Sequence, residues 1–160
     1  MDFHERLQKA AERGQRNRDA KAREEAAKAL SEEECRRLHT KYRLELNDYI
    51  EQCLHQLADQ FPGFRLKSLV EGGWGAAVSR DDVDLRPGQA RGSFYSGLEI
   101  VVPPLGRYKV LELAAKATIR NKELFNRTHF QRLGEVDLHS FRETIDLWVL
   151  EYAEQFAAQG

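Results

Sequence analysis

YKVLELAAKATIR, residues 108–120, alternates along its whole length: Leu111, Leu113, Ala115, Ala117 and Ile119 fall on one side of an extended chain, and Tyr108, Val110, Glu112, Lys116, Thr118 and Arg120 on the other. Successive side chains of a strand point to opposite faces, so this period of two marks a strand with one apolar and one polar face. Strands of that kind build antiparallel sheets that are covered on one side and wet on the other. The flanking sequence must therefore supply partner strands and something to cover the apolar face.

Upstream, Pro103-Pro104-Leu105-Gly106 turns the chain out of an apolar stretch over about residues 93–102, which reads as a preceding strand. Earlier still, Phe64, Leu66, Ser68 and Val70 alternate with Arg65 and Lys67. Glu71-Gly72-Gly73 then supplies a turn, and Trp74, Ala76 and Val78 resume the alternation. That is a hairpin. DDVDLRPGQARG, residues 81–92, is rich in Asp, Pro and Gly and reads as an exposed loop. Downstream, NKELFNRTHFQRLGEV, residues 121–136, admits a strand extension with a tight turn at Asn126-Arg127 or an irregular connection. A short fifth strand is expected over residues 128–133.

Two helical patterns flank these strands. Cys35, Leu38, Tyr42, Leu46, Tyr49, Cys53 and Leu57 recur at steps of three and four, with Ile50 and Leu54 widening the stripe, which is the period of an amphipathic helix. Ser31-Glu32-Glu33-Glu34 is a capping box at which that helix can start or restart, and Phe61-Pro62-Gly63 ends it near Asp59 or Gln60. After the strands, Asp137 is placed as an N-cap, and Leu138, Phe141, Ile145, Trp148, Tyr152 and Phe156 mark one face of a final helix. The expected fold is α+β with two layers: an antiparallel meander of four to five strands, with an amphipathic helix before and after it packed on one face.

Residues 1–30 differ from the rest. QKAAERGQRNRDAKAREEAAKAL favours helix by propensity but offers almost no large apolar residue beyond Phe3, Leu7 and Leu30. Gly14 and Asn17 weaken its middle by about 0.5–1 kcal/mol each relative to Ala, so this arm is expected to fray unless a partner orders it. Its charge is polarised. Arg6, Lys9, Arg13, Arg16, Arg18, Lys21 and Arg23 face only Glu12 and Asp19 within residues 6–23, and residues 24–34 turn acidic. The domain reading is thus an arm over residues 1–30, helical or coiled-coil, and one α+β domain over residues 31–160.

Composition bounds the function. One core is the default for 160 residues, and 32% charged residues against 41% apolar ones require part of the chain to be solvated. With 25 basic and 26 acidic residues no global field argues for nucleic acid or membrane. No apolar run reaches the roughly 18–20 residues of a membrane helix, and MDFHERLQKAAERGQR is not a secretory signal, so a cytoplasmic protein without membrane contact is expected. Cys35 and Cys53 lack a CxxC partner and are expected to be buried reduced thiols.

No motif spells out chemistry. Asp81-Asp82-Val83-Asp84 starts like a calcium loop, but Pro87 stands where that loop needs Gly and Ser93 where it needs Glu. Gly72-Gly73-Trp74-Gly75 lacks the lysine of a phosphate cradle and reads as a hairpin turn with an anchoring Trp. His4, His39, His55, His129 and His139 show no metal-ligand spacing, and no serine lies in a nucleophile elbow. Neither cofactor nor metal is expected, and nothing assigns a catalytic residue. There is no internal repeat.

The function expected on these grounds is a non-catalytic protein-interaction or adaptor module whose arm docks, tethers or self-associates. The alternative is nucleic-acid binding by the basic residues of the arm together with Lys116, Arg120, Arg127 and Arg132, beside His129, where aromatic and basic side chains interleave. A sheet edge protected by Lys and Arg explains the same strand residues with no ligand. A third possibility is a ligand or catalytic pocket between sheet and helices near Trp74, Tyr95 and His129.

Overall fold

A computed structural model of the chain describes residues 2–84, 87–88 and 92–159, with the side chains of residues 26–30 and 84 left aside. Residues 1–37 and residues 38–160 form separate compact units. The elements in chain order are α1 (Phe3–Gln60), β1 (Arg65–Leu69), β2 (Trp74–Asp84), β3 (Gly92–Val102), β4 (Val110–Ile119), β5 (Lys122–Arg132), a 3-10 turn (Leu133–Glu135) and α2 (Leu138–Gln159). The α+β class and the antiparallel meander are as the sequence implies.

Within residues 38–160 the five strands form one sheet in the order β1-β2-β3-β4-β5, every pair antiparallel. The register carries one face across the sheet: Val78 lies opposite Leu98, Leu98 opposite Ala117, and Ala117 opposite Phe125. All four are buried, as are Ala76, Ile100 and Ala115 in the next row. In β4 the alternation is complete, with Leu111, Leu113, Ala115, Ala117 and Ile119 no more than 2% exposed. Leu46, Ile50, Leu54 and Leu57 of α1 and Phe141, Ile145, Trp148, Tyr152 and Phe156 of α2 complete the core. Tyr152 ties α2 to the sheet through its hydroxyl, which donates to the Thr118 carbonyl at 2.9 Å. Asp137 caps α2, accepting from the His139 amide at 3.0 Å.

Several expectations need correction. α1 is helical throughout residues 3–60, so it runs on through Ser31 and does not restart there. The capping-box residues sit inside the helix, where good helix formers on both sides outweigh a local start signal. Its buried row is Leu46, Ile50, Leu54 and Leu57, while Tyr42, Tyr49 and Cys53 are only half-buried at its margin. In β1 the alternation is right but the burial is not. Leu66 is exposed because β1 is an edge strand, Val70 lies beyond its end and is exposed too, and Ser68 donates to Glu51 of α1 at 2.8 Å. Asp81 and Asp82 continue β2 and are not loop residues, whereas residues 85, 86 and 89–91 of that expected loop lie outside the described residues. Cys35 and Cys53 are free, and half-buried where full burial was expected.

The largest correction concerns β5, which starts at Lys122 and not at residue 128. The turn lies at Arg120-Asn121, between the paired residues Ile119 and Lys122, with φ of 48° and 69°. Positive φ at both central positions gives the two-residue hairpin whose twist matches its strands. Asn121 suits that conformation and also holds β3: its Oδ1 accepts from the Tyr95 amide at 2.8 Å and its Nδ2 donates to the Ser93 carbonyl at 2.9 Å. Further on, a bulge in β5 between the Phe125 and Glu123 pairings returns Phe125 to the core.

At the other end of the sheet, His39 is buried and its Nε2 lies 3.1 Å from the Pro103 carbonyl, so the neutral ring donates that bond. Its edge meets Trp74, on whose ring the Arg43 guanidinium lies at 4.1 Å. Burial holds the His39 pKa below its ordinary value, against the Pro103 bond, which raises it, and with Arg43, which lowers it.

Two stability outcomes follow from this packing. Trp148→Ala should cost about 3–5 kcal/mol, the range for truncating a buried Trp or Phe, read from urea midpoints; an unchanged midpoint would contradict the burial. Because His39 takes up its proton more readily when unfolded, stability should fall as pH drops through about 6.5. His39→Gln keeps a donor but cannot titrate, so its melting temperature should fall less between pH 7.5 and 5.5. Equal slopes in the two proteins would remove His39 from the account.

Candidate interaction surfaces

In residues 1–37, α1 begins with a cap that the sequence reading overlooked. The Asp2 carboxylate accepts from the Glu5 amide at 2.9 Å, the Asp-x-x-Glu variant of the pattern sought at Ser31. Residues 2–25 are exposed without exception, and that includes Arg6, Lys9, Arg13, Arg16, Arg18, Lys21 and Arg23. Among the described residues none of these seven is in an ion pair. Phe3 is 77% and Leu7 56% exposed. Once the segment is helical, Phe3, Leu7, Ala10 and Gly14 share one face at steps of four, three and four, and Arg6, Lys9, Arg13 and Arg16 share another at steps of three, four and three. Small residues dilute the apolar row, which is why the sequence alone concealed it.

Within residues 38–160 the last turns of α1 and the middle of α2 meet along a seam. Tyr49 donates its hydroxyl to Asp146 Oδ1 at 2.5 Å, and the Cys53 thiol lies 3.8 Å from the same oxygen. The bond to Asp146 pushes the Tyr49 pKa up, since a phenolate would lose its acceptor and face a like charge. Burial is the chief cause that raises the Cys53 thiol, which disfavours its reactive thiolate. Beside the seam runs an open groove of about 360 Å³ lined by Cys53, Leu57, Val149, Leu150 and Ala153 with Gln56, Gln60 and Asp146. Leu150 on its wall is 64% exposed and nearby Leu147 66%. The surrounding helices are acidic. Residues 44–60 carry Glu45, Asp48, Glu51 and Asp59 with neither Lys nor Arg, and residues 138–159 carry Glu143, Asp146, Glu151 and Glu154 against Arg142 alone.

The sheet does not gather the basic residues into one surface. Lys116 lies on the open face opposite Glu99, and Arg132 is on that face opposite Val110. Arg127 and His129 point to the helix side: Arg127 makes a bidentate pair with Glu151, and the His129 ring packs edge-on against Phe141 at 4.7 Å. Arg120, in the turn, lies 4.6 Å from the Phe94 ring and donates to the Gln159 carbonyl at 3.3 Å. Trp74, Tyr95 and His129 do not line a common pocket either. Trp74 is at the His39 end, Tyr95 lies across Gly97 on the open face, and His129 is under α2. His129 Nε2 is buried with no hydrogen-bond partner.

Among the described residues no three His, Cys, Asp or Glu side chains converge to hold a metal ion, and no helix is long and apolar enough to cross a membrane. At the seam an acid, a phenol and a thiol meet, and the geometry is that of a structural clasp. Asp146→Ala should therefore cost about 1–3 kcal/mol by leaving Tyr49 without its acceptor, whereas Tyr49→Phe should cost less. Equal losses from the two substitutions, measured by urea unfolding, would show that Asp146 holds nothing but Tyr49. No family model matches the chain, and neither the curated proteins nor the solved structures contain a match to it, so the reading of function rests on these surfaces.

Proposed function

We propose that this protein is a non-catalytic interaction module whose docking element is the first part of α1. The observation that carries the reading is the exposure of every residue from 2 to 25, Phe3 and Leu7 included, in a segment that is nonetheless helical. Propensity favours this helix, but a helix without tertiary packing is marginal in water, and a partner that takes its apolar row supplies the packing it lacks. Helix-in-groove recognition uses this spacing of anchors, and truncating one or two such anchors commonly dominates the loss of affinity.

The unpaired arm cations support a second reading, in which the arm lies along nucleic acid. Seven cations engaging several phosphates would give a log-log salt slope of about −3 to −5. Against it stand the carboxylates of residues 24–34, which follow directly on the basic run and repel a polyanion continuing along the helix.

Hydrogen exchange in two settings separates the readings. In dilute buffer the amides of residues 3–25 should exchange fast, and in a concentrated cell extract they should be protected whether or not the extract has been treated with nuclease. Protection abolished by nuclease would establish the nucleic-acid reading in place of the first. Deleting residues 1–30 should shift stability by no more than about 1 kcal/mol, the scale of an exposed segment. If the truncated chain fails to fold, the arm is part of the core and the proposal is lost.

A further inference from the structure

We infer that the docking site for the arm is the groove between α1 and α2 of a second copy of this chain. The inference rests on the interaction reading above and names the partner. Three observations carry it. First, one chain bears both halves of a contact and leaves both bare: Phe3 and Leu7 on the arm, Leu150 on the groove wall. Second, the groove is lined chiefly by aliphatic groups, Leu57, Val149, Leu150 and Ala153, and its volume of about 360 Å³ is in the range of sites that bury apolar side chains. Third, the charges are complementary. The arm carries seven basic residues against two acidic ones in residues 6–23, and the helices that form the groove carry eight acidic residues against Arg142 in residues 44–60 and 138–159, one of the eight, Glu151, being already paired with Arg127. Attraction of this sign steers association and sets orientation, while burial of Phe3 and Leu7 supplies the holding force.

Pairing of two arms with each other, basic block to acidic block, satisfies the charges but not the apolar row. A facing arm offers only its own Phe3, Leu7 and Leu30 as large apolar residues, and a seam made otherwise of small residues buries too little to hold two polar helices together. The groove answers both needs. The contact joins two different surfaces, so each chain brings one arm and one groove.

Complementation by sedimentation velocity tests this on the full chain. Two variants at exposed positions are made: Phe3→Ala with Leu7→Ala, which spoils the arm and leaves the groove, and Leu150→Lys, which spoils the groove and leaves the arm. The wild-type chain should associate with rising concentration and less so with rising salt. Each variant alone should associate at least about tenfold more weakly, and an equimolar mixture should recover association, because it restores one intact arm facing one intact groove. Unchanged circular dichroism in both variants shows that folding is not the cause. A Leu150→Lys chain that associates like the wild type while the arm variant does not would overturn the groove and leave the arm reading intact. A wild-type chain that stays monomeric at several hundred micromolar overturns the second copy as partner, and the extract experiment then decides the arm reading by itself. Association that survives in the arm variant overturns this inference, and if the extract also leaves the arm unprotected, both fall.

Discussion

The folded unit of residues 38–160 depends on the burial of one sheet face whose central row is small. Ala76, Ala115 and Ala117 lie among Val78, Leu98, Ile100, Leu111 and Leu113, so the helices covering this face can approach closely and must supply bulk themselves. They do so with Leu46, Ile50, Leu54 and Leu57 from α1 and with four aromatic residues, Phe141, Trp148, Tyr152 and Phe156, from α2. Both must lie on the same face, and that requirement creates the seam between them. The Tyr49–Asp146 bond and the apolar groove are consequences of filling this layer.

How much of this could be read from the sequence follows the same physics. β4, the β1–β2 hairpin, β3 and α2 were legible because period and turn chemistry agree over stretches longer than five residues. The start of β5 was not, because its turn places Arg120 at positive φ, a conformation that an Arg does not advertise. Asn121 carried the signal, but its hydrogen bonds to Ser93 and Tyr95 reach a strand more than twenty residues away. Edge position misled the burial expected for Leu66, since alternation reports a face and not how far the cover extends. The groove was beyond reach for a related reason. Its walls come from residues 53–60 and 146–153, and no local pattern announces that two distant segments will meet.

On the basic residues, sequence adjacency was a poor guide to spatial adjacency. Arg127 and Arg132 are five positions apart on one strand, which puts them on opposite faces of the sheet. Arg127 is engaged by Glu151, and Lys116 has Glu99 as its cross-strand neighbour. The open face of the sheet is therefore a mixed surface without a single sign of charge. The arm differs, since a helix puts Arg6, Lys9, Arg13 and Arg16 on one stripe, with Glu5 and Glu12 at its side.

A formal net charge of −1 hides this separation. Near-neutral proteins with interspersed charges have weak fields, but here residues 6–23 carry seven basic residues against two acidic ones, while residues 44–60 and 138–159 together carry eight acidic residues against one basic. Such segregation has opposite effects on the two candidate partners. A polyanion drawn to the arm is repelled by residues 24–34 and by the acidic helices of every other chain that gathers on it, so binding grows harder as occupancy rises. A second copy offers its acidic surface to residues 6–23 and its apolar groove to Phe3 and Leu7, whereas residues 24–34 repel an acidic groove as they repel a polyanion, so the favourable contact is confined to the first part of the arm. What the proposed copy adds beyond charge is the apolar groove, which a polyanion does not offer to Phe3 and Leu7.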